Sequence, residues 1–131
     1  MTNTSGGTTP KKNEPPKKIQ VGPLRLDIEF IDDVAQKVSK TPVSEDPSYD
    51  SSTTYGCLSF KDQTIYLATN QKEDIIADTL LHEVLHAIWS TVGGWAYPEA
   101  DEERIVSMLT GTLLDTLRRN RELTRYLFDN D

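Results

Sequence analysis

The chain has 131 residues, of which 36% are hydrophobic and 27% charged, and its formal net charge is −7. This length is typical of one domain, and the single cysteine, Cys57, excludes an internal disulfide framework and a four-cysteine zinc site. The pattern of a secretory signal, a basic start followed by an apolar run, is not seen. No stretch approaches the roughly eighteen apolar residues of a membrane span. We therefore expect an intracellular, cytoplasmic protein without membrane contacts.

The basic residues are concentrated at one end. Residues 1–18 contain no Ile, Leu, Val or Phe, and the first twenty residues hold four lysines and one glutamate. The rest of the chain then carries 10 basic and 20 acidic side chains, a charge of −10. Such an acidic body repels a phosphate backbone, so direct binding of nucleic acid is not expected. We predict a flexible Lys/Pro-rich tail over 1–18 and one domain over 19–131.

The first half of this domain is predicted to be rich in strands. Alternating apolar residues and turn residues predict strands at 19–21, 24–30, 55–60 and 64–68, the last two forming a hairpin. Between them, residues 32–40 could form one or two helical turns, and 41–53 are a polar loop.

Three helices are predicted in the second half. Asn70 and Glu73 resemble a capping box at a helix start, the helical periodicity runs from there to about Thr91, and Gly93-Gly94 ends the helix. A second helix begins at Pro98 or Glu99 and runs to about residue 120. A short last helix at 121–128 is expected to turn three apolar side chains inward, those of Leu123, Tyr126 and Leu127.

The chemistry-bearing motif lies on the first of these helices, where residues 82–86 read His-Glu-Val-Leu-His. A spacing of four residues is about 400° of rotation and ~6 Å of rise, so His82 and His86 stand on one face and can bind one metal ion. Glu83 lies beside that face and can accept a proton from a water activated by the metal. The motif on a helix therefore predicts a zinc hydrolase site with Glu83 as the catalytic base.

A catalytic zinc needs a third protein ligand, and the chain has no other histidine. The third ligand is then a carboxylate or Cys57, and the acidic start of the second long helix offers candidates. Glu103 is favoured because it stands three residues before Val106, which stacks it on the inward side of that helix. Glu102 remains the alternative.

Neighbouring side chains could support such a site. Asp78, one turn before His82, could hold the free ring N–H of that histidine, and Ser107 could support Glu103. Three phenols could stabilise an oxyanion, and their spacing does not single one out: Tyr49, Tyr55 and Tyr97.

The order of these elements resembles the ImmA/IrrE-like zinc metallopeptidases of the gluzincin type, often encoded by phages or mobile elements. The resemblance covers roughly residues 19–120, through Tyr55-Gly56-Cys57, Ile65-Tyr66-Leu67, the segment from Thr79 to Ile88, and the segment from Glu102 to Val106. It implies an α+β, zincin-like fold, in which a small curled antiparallel or mixed sheet packs on the His-Glu-x-x-His helix and a following glutamate helix. It also implies one Zn²⁺ per chain on His82, His86 and Glu103.

The chain departs from this family in two respects. The second helix of the family often reads Glu-x-x-Ala-Asn/Asp, whereas Glu103 is followed by Val106 and Ser107 at those positions. Many relatives also carry a DNA-binding helix-turn-helix domain, for which this chain has no room.

The sequence thus predicts a zinc metallopeptidase that hydrolyses a peptide bond of a protein partner, with a regulatory role in a phage or mobile element. The alternative is a non-catalytic protein-binding module in which zinc is a structural staple closed by a fourth ligand such as Cys57 or Glu102. The motif predicts an activated water but does not specify which bond that water attacks. A substrate other than a peptide is therefore also compatible with the sequence.

Overall fold

The computed structural model describes residues 14–34 and 55–129. Four strands in this part of the chain form one mixed sheet: β1 (Lys18–Val21), β2 (Leu24–Ile31), β3 (Gly56–Ser59) and β4 (Thr64–Ala68). Three α-helices follow: α1 (Glu73–Thr91), α2 (Glu99–Arg119) and α3 (Arg121–Phe128). The predicted α+β class is confirmed. The turns predicted at 32–40 and the loop at 41–53 lie largely outside the described residues, as does most of the predicted tail.

The sheet has the strand order β1-β2-β4-β3. The outer pairs, β1 with β2 and β3 with β4, are antiparallel, whereas β2 and β4 pair in parallel. All five residues of β4 are buried because it lies inside the sheet with both faces covered. Phe30 near the end of β2 is exposed, so the predicted alternation buries Leu26 and Ile28 but does not extend to the end of that strand.

Helix α1 covers one face of the sheet. Its buried residues, Thr79, Glu83 and Ala87, are spaced by four and form one row along the helix. Apolar side chains on either side of this row pack on the core formed by the sheet: Ile76, Leu80 and Val84. The row includes Glu83, which places a carboxylate in the contact between helix and sheet.

Only the N-terminal end of α1 differs from the predicted pattern. The helix begins at Glu73 with Lys72 as its N-cap, and no side chain caps it, so the capping box predicted at Asn70 is wrong. At the other end the predicted stop is confirmed. Gly93 adopts φ +91°, a left-handed conformation that glycine enters without steric cost.

Helix α2 returns along α1, and α3 packs on the end of α2. Three apolar side chains of α3 that were predicted to face inward are exposed: Leu123, Tyr126 and Leu127. The reason is that α3 packs chiefly against one neighbouring helix, where the Thr124 hydroxyl donates to the Leu117 carbonyl at 2.8 Å. None of the described helices is long and apolar enough to span a membrane.

Strand β3 approaches α1 most closely at Gly56. A Cβ atom at this position would lie 2.5 Å from Thr79 Cγ2 and 3.3 Å from the Tyr66 carbonyl oxygen. Thr79 has little freedom to move, because its hydroxyl donates to Gln71 Oε1 at 2.9 Å. Glycine at position 56 therefore permits the close contact between β3 and the helix that carries the histidines.

We expect Gly56→Ala to lower the free energy of unfolding by about 1–3 kcal/mol, the usual cost of overpacking a filled contact. Thr79→Ser removes the obstructing methyl group and keeps the hydroxyl, so the double variant should recover part of that loss. Urea unfolding of the wild type, both single variants and the double variant measures this coupling. Strictly additive losses would show that the Thr79 methyl group is not what obstructs the added Cβ.

Candidate metal centre

The two imidazoles of α1 converge at their Nε2 atoms. His82 Nε2 and His86 Nε2 lie 3.2 Å apart, and the rings meet edge to face with centroids 4.9 Å apart. Both rings are partly buried. The four-residue spacing thus brings the two nitrogens together, as expected from the sequence.

Glu103 of α2 reaches the same point. Its Oε1 atom lies 3.2 Å from His82 Nε2 and 3.1 Å from His86 Nε2. The Ser107 hydroxyl donates to the other carboxylate oxygen at 3.1 Å, which is the support expected of that residue. The side chain of Glu103 is 57% exposed, so it stands at the mouth of the site and not on the inward side predicted for it.

These three atoms form a nearly equilateral triangle that fits a metal ion. Tetrahedral zinc with bonds of 2.0–2.1 Å holds its ligand atoms about 3.3–3.4 Å apart. The observed edges of 3.1, 3.2 and 3.2 Å are close to this value. Among the described residues, this is the group of His, Cys, Asp and Glu side chains whose ligand atoms lie within 4.8 Å of one another.

The other acidic candidates lie outside the triangle. Glu102 Oε2 lies 2.6 Å from Nδ1 of His86, on the far side of the ring from Nε2. Asp78 is exposed and makes no hydrogen bond with His82 in the part of the chain that the structure describes, so the support predicted from it is absent there. Of the two glutamates considered for the third position, the favoured Glu103 joins the triangle, whereas Glu102 contacts the other nitrogen of His86.

Glu83 lies deeper than the triangle, in a cavity of about 620 Å³ between β3, α1 and the start of α2. Its side chain is buried, and the backbone N–H of Leu58 in β3 donates a hydrogen bond to its carboxylate. Burial raises the pKa of Glu83, although the nearby charges of His86 and His82 oppose this effect. A carboxylate with a raised pKa is a better proton acceptor at neutral pH.

The charges around the triangle also shift its members. Burial lowers the pKa of His86, but the hydrogen bond with Glu102 and the charges of Glu83 and Glu103 outweigh it, so the pKa is raised overall. Partial burial acts to raise the pKa of Glu103, but two other interactions outweigh it. There the charge of His82 and the hydrogen bond from Ser107 hold the carboxyl pKa below its usual range.

The remaining candidate residues play different parts. Cys57 lines the cavity but does not join the ligand group, and burial together with the charge of Glu83 raises its pKa to about 11. Tyr55 lines the cavity as well. Tyr97 instead contacts Trp89, with ring centroids 5.9 Å apart. Tyr49 lies outside the described residues.

Two contributors to the cavity were missed by reasoning from the sequence. Leu58 supplies the backbone N–H that holds Glu83, and Phe60 adds an exposed aromatic ring to the lining. Leu58 lies in β3 and Phe60 is the first residue of the turn that follows it, a stretch that was visible as a hairpin signal. Nothing in that signal indicated that the hairpin faces the histidine helix.

Comparison with known protein families, curated proteins and solved structures found no match to this chain. The resemblance to the ImmA/IrrE-like metallopeptidases therefore stays a prediction.

We expect metal-free Glu83→Gln to melt a few degrees above the metal-free wild type near neutral pH. The folded-state pKa of Glu83 is raised. The contribution of this side chain to stability is therefore fully present below its ordinary pKa of 4.5 and is lost as the pH rises through the raised pKa. Glutamine stays neutral throughout, so the difference should vanish below that ordinary pKa. Thermal unfolding across pH measures it, with the exposed Glu99→Gln as the control. A variant less stable than wild type at neutral pH would contradict a costly buried charge.

Proposed function

We propose that the protein is a zinc-dependent peptidase, in which one Zn²⁺ is held by His82, His86 and Glu103 and Glu83 is the general base. The observation that carries this proposal is the triangle of ligand atoms, with edges of 3.1–3.2 Å, beside a buried carboxylate in one cavity. Two imidazoles and one glutamate are a donor set that catalytic zinc sites use.

The number of ligands favours catalysis over a structural role. Structural zinc sites are closed by four protein ligands, whereas catalytic sites have three and keep a position for water. The group here has three members among the described residues. Neither Glu102 nor Cys57 contributes a ligand atom to it, which weakens the alternative of a binding module with a zinc staple.

The protein groups around the site fit the hydrolysis of an acyl bond. Zinc in such a site supplies a Lewis acid that makes water acidic near neutral pH and polarises a carbonyl group. Glu83, held by the Leu58 N–H, accepts the proton of the attacking water and can return it to the leaving amine. The burial of Glu83 raises its pKa toward the range in which both transfers are possible.

The cavity borders a sheet edge, which suits a polypeptide substrate. Strand β3 is an edge strand of the sheet, and all of its residues except Ser59 line the cavity. An extended peptide can add to such an edge through main-chain hydrogen bonds. Tyr55 and Phe60 offer apolar surface to its side chains. With the resemblance noted above, this supports a protein substrate inside a cell, such as a phage repressor.

We expect zinc to bind at one ion per chain and to be lost in His82→Ala and in His86→Ala. Each substitution removes one corner of the triangle and leaves two ligands, too few for a stable site. Metal analysis after dialysis against a zinc buffer measures the content. Glu99→Gln, which removes one acidic charge from the first turn of α2, is the matched control and should retain zinc. Wild-type protein without zinc under these conditions would refute the metal site.

We expect Glu83→Gln to keep its zinc and to lose about 10²–10⁴-fold in kcat/KM, the range that a positioned general base contributes. The assay is cleavage of fluorescently labelled casein and of a peptide library by the zinc-loaded protein. Asp78→Asn, which changes an exposed acid on the same helix, should cleave like the wild type. A Glu83→Gln protein with undiminished cleavage would remove Glu83 from the proposed role.

A further inference from the structure

Two neighbouring carboxylates of α2 contact opposite sides of one imidazole. Glu103 Oε1 lies 3.1 Å from His86 Nε2, and Glu102 Oε2 lies 2.6 Å from His86 Nδ1. Consecutive residues on a helix point about 100° apart, so a ring inserted between them is bracketed by the pair. A carboxylate therefore lies beside each nitrogen of His86.

We propose that Glu102 is a positioning residue that holds His86 in the tautomer protonated at Nδ1, and so presents the Nε2 lone pair to the metal. The inference deepens the proposed function, since it names the residue that prepares one of its ligands. It assigns the two adjacent glutamates different work: Glu103 binds the ion, and Glu102 acts on the ion only through His86.

The position of the proton follows from the chemistry of the two groups. An ionised carboxylate can only accept a hydrogen bond, so the contact of 2.6 Å requires the proton to be on Nδ1. A neutral imidazole has one N–H, which we assign to the shorter contact, 2.6 Å to Glu102 against 3.1 Å to Glu103, so that Nε2 carries the lone pair. This contact is also sheltered, because the side chains of His86 and Glu102 are 18% and 26% exposed. Water therefore competes weakly for it.

The second imidazole lacks this support. Within residues 14–34 and 55–129, His82 makes its contacts through Nε2, and no hydrogen bond reaches its Nδ1. The acid one turn earlier, Asp78, is exposed and does not reach it. The two histidines of the motif are consequently unequal: His86 is oriented in advance of metal binding, whereas His82 is free to change tautomer. Outer partners of this kind typically change metal affinity by about 10–100-fold.

The tautomer can be measured without a metal or an activity. The chain has two histidines, so ¹⁵N spectra of its imidazoles contain two sets of signals, which His82→Ala assigns. In metal-free protein, at a pH where both rings are neutral, we expect His86 to be protonated at Nδ1. Glu102→Ala should abolish this preference, and Asp78→Asn should leave it unchanged. A wild-type His86 protonated at Nε2, or a preference that survives in Glu102→Ala, would overturn the proposal.

Zinc affinity provides the second readout, by competition with a chelator of known affinity. We expect Glu102→Ala to weaken zinc binding about 10–100-fold, with Asp78→Asn and Glu99→Gln within about twofold of wild type. Glu102→Gln retains an acceptor oxygen at the same place and should bind zinc better than Glu102→Ala, which also covers the case in which the alanine variant fails to fold.

The outcomes separate this inference from the proposed function. A wild type that binds no zinc but shows the expected His86 tautomer refutes the metal site and leaves the positioning role of Glu102 standing. If the wild type binds zinc, and Glu102→Ala and Glu102→Gln both bind it as tightly as the wild type, the positioning role alone is refuted.

Discussion

The rotation of α1 about its own axis fixes the geometry of the site. The contact with the sheet selects Thr79, Glu83 and Ala87 as the row that faces inward. His82 and His86 each precede a member of that row by one residue, so they point about 100° away from it, toward the start of α2. The same packing that buries the helix therefore delivers both imidazoles to the edge of the core and keeps Glu83 beneath them.

This arrangement has an energetic cost that the metal would offset. Three carboxylates, those of Glu83, Glu102 and Glu103, line one cavity, and none of the described residues that line it is a lysine or an arginine. Like charges at such distances repel, more strongly where water is partly excluded. A divalent cation removes that repulsion, so its binding free energy adds to the free energy of folding. Under the proposed function, binding of the cation would therefore also stabilise the fold around this acidic cavity.

The sequence was informative wherever the determining interactions are local. The strands, the three helices, the stop at Gly93 and the convergence of His82 and His86 follow from periodicity, turn chemistry and helix geometry. The failures share another cause. The exposed position of Glu103 and the contact of Glu102 with His86 both depend on how α2 crosses α1. The exposure of Tyr126 and the absence of contact between Asp78 and His82 likewise depend on neighbours that no local pattern specifies.

The brevity of β3 has a consequence for the behaviour of the protein in concentrated solution. An outer strand of four residues presents few main-chain groups, and one of its members is a glycine that lacks a side chain to zip against another copy. Long flat edges nucleate fibrils by recruiting identical chains, and short ones do so poorly. An edge of this length can bind an extended peptide transiently and still resist the repeated strand addition that a longer edge would favour.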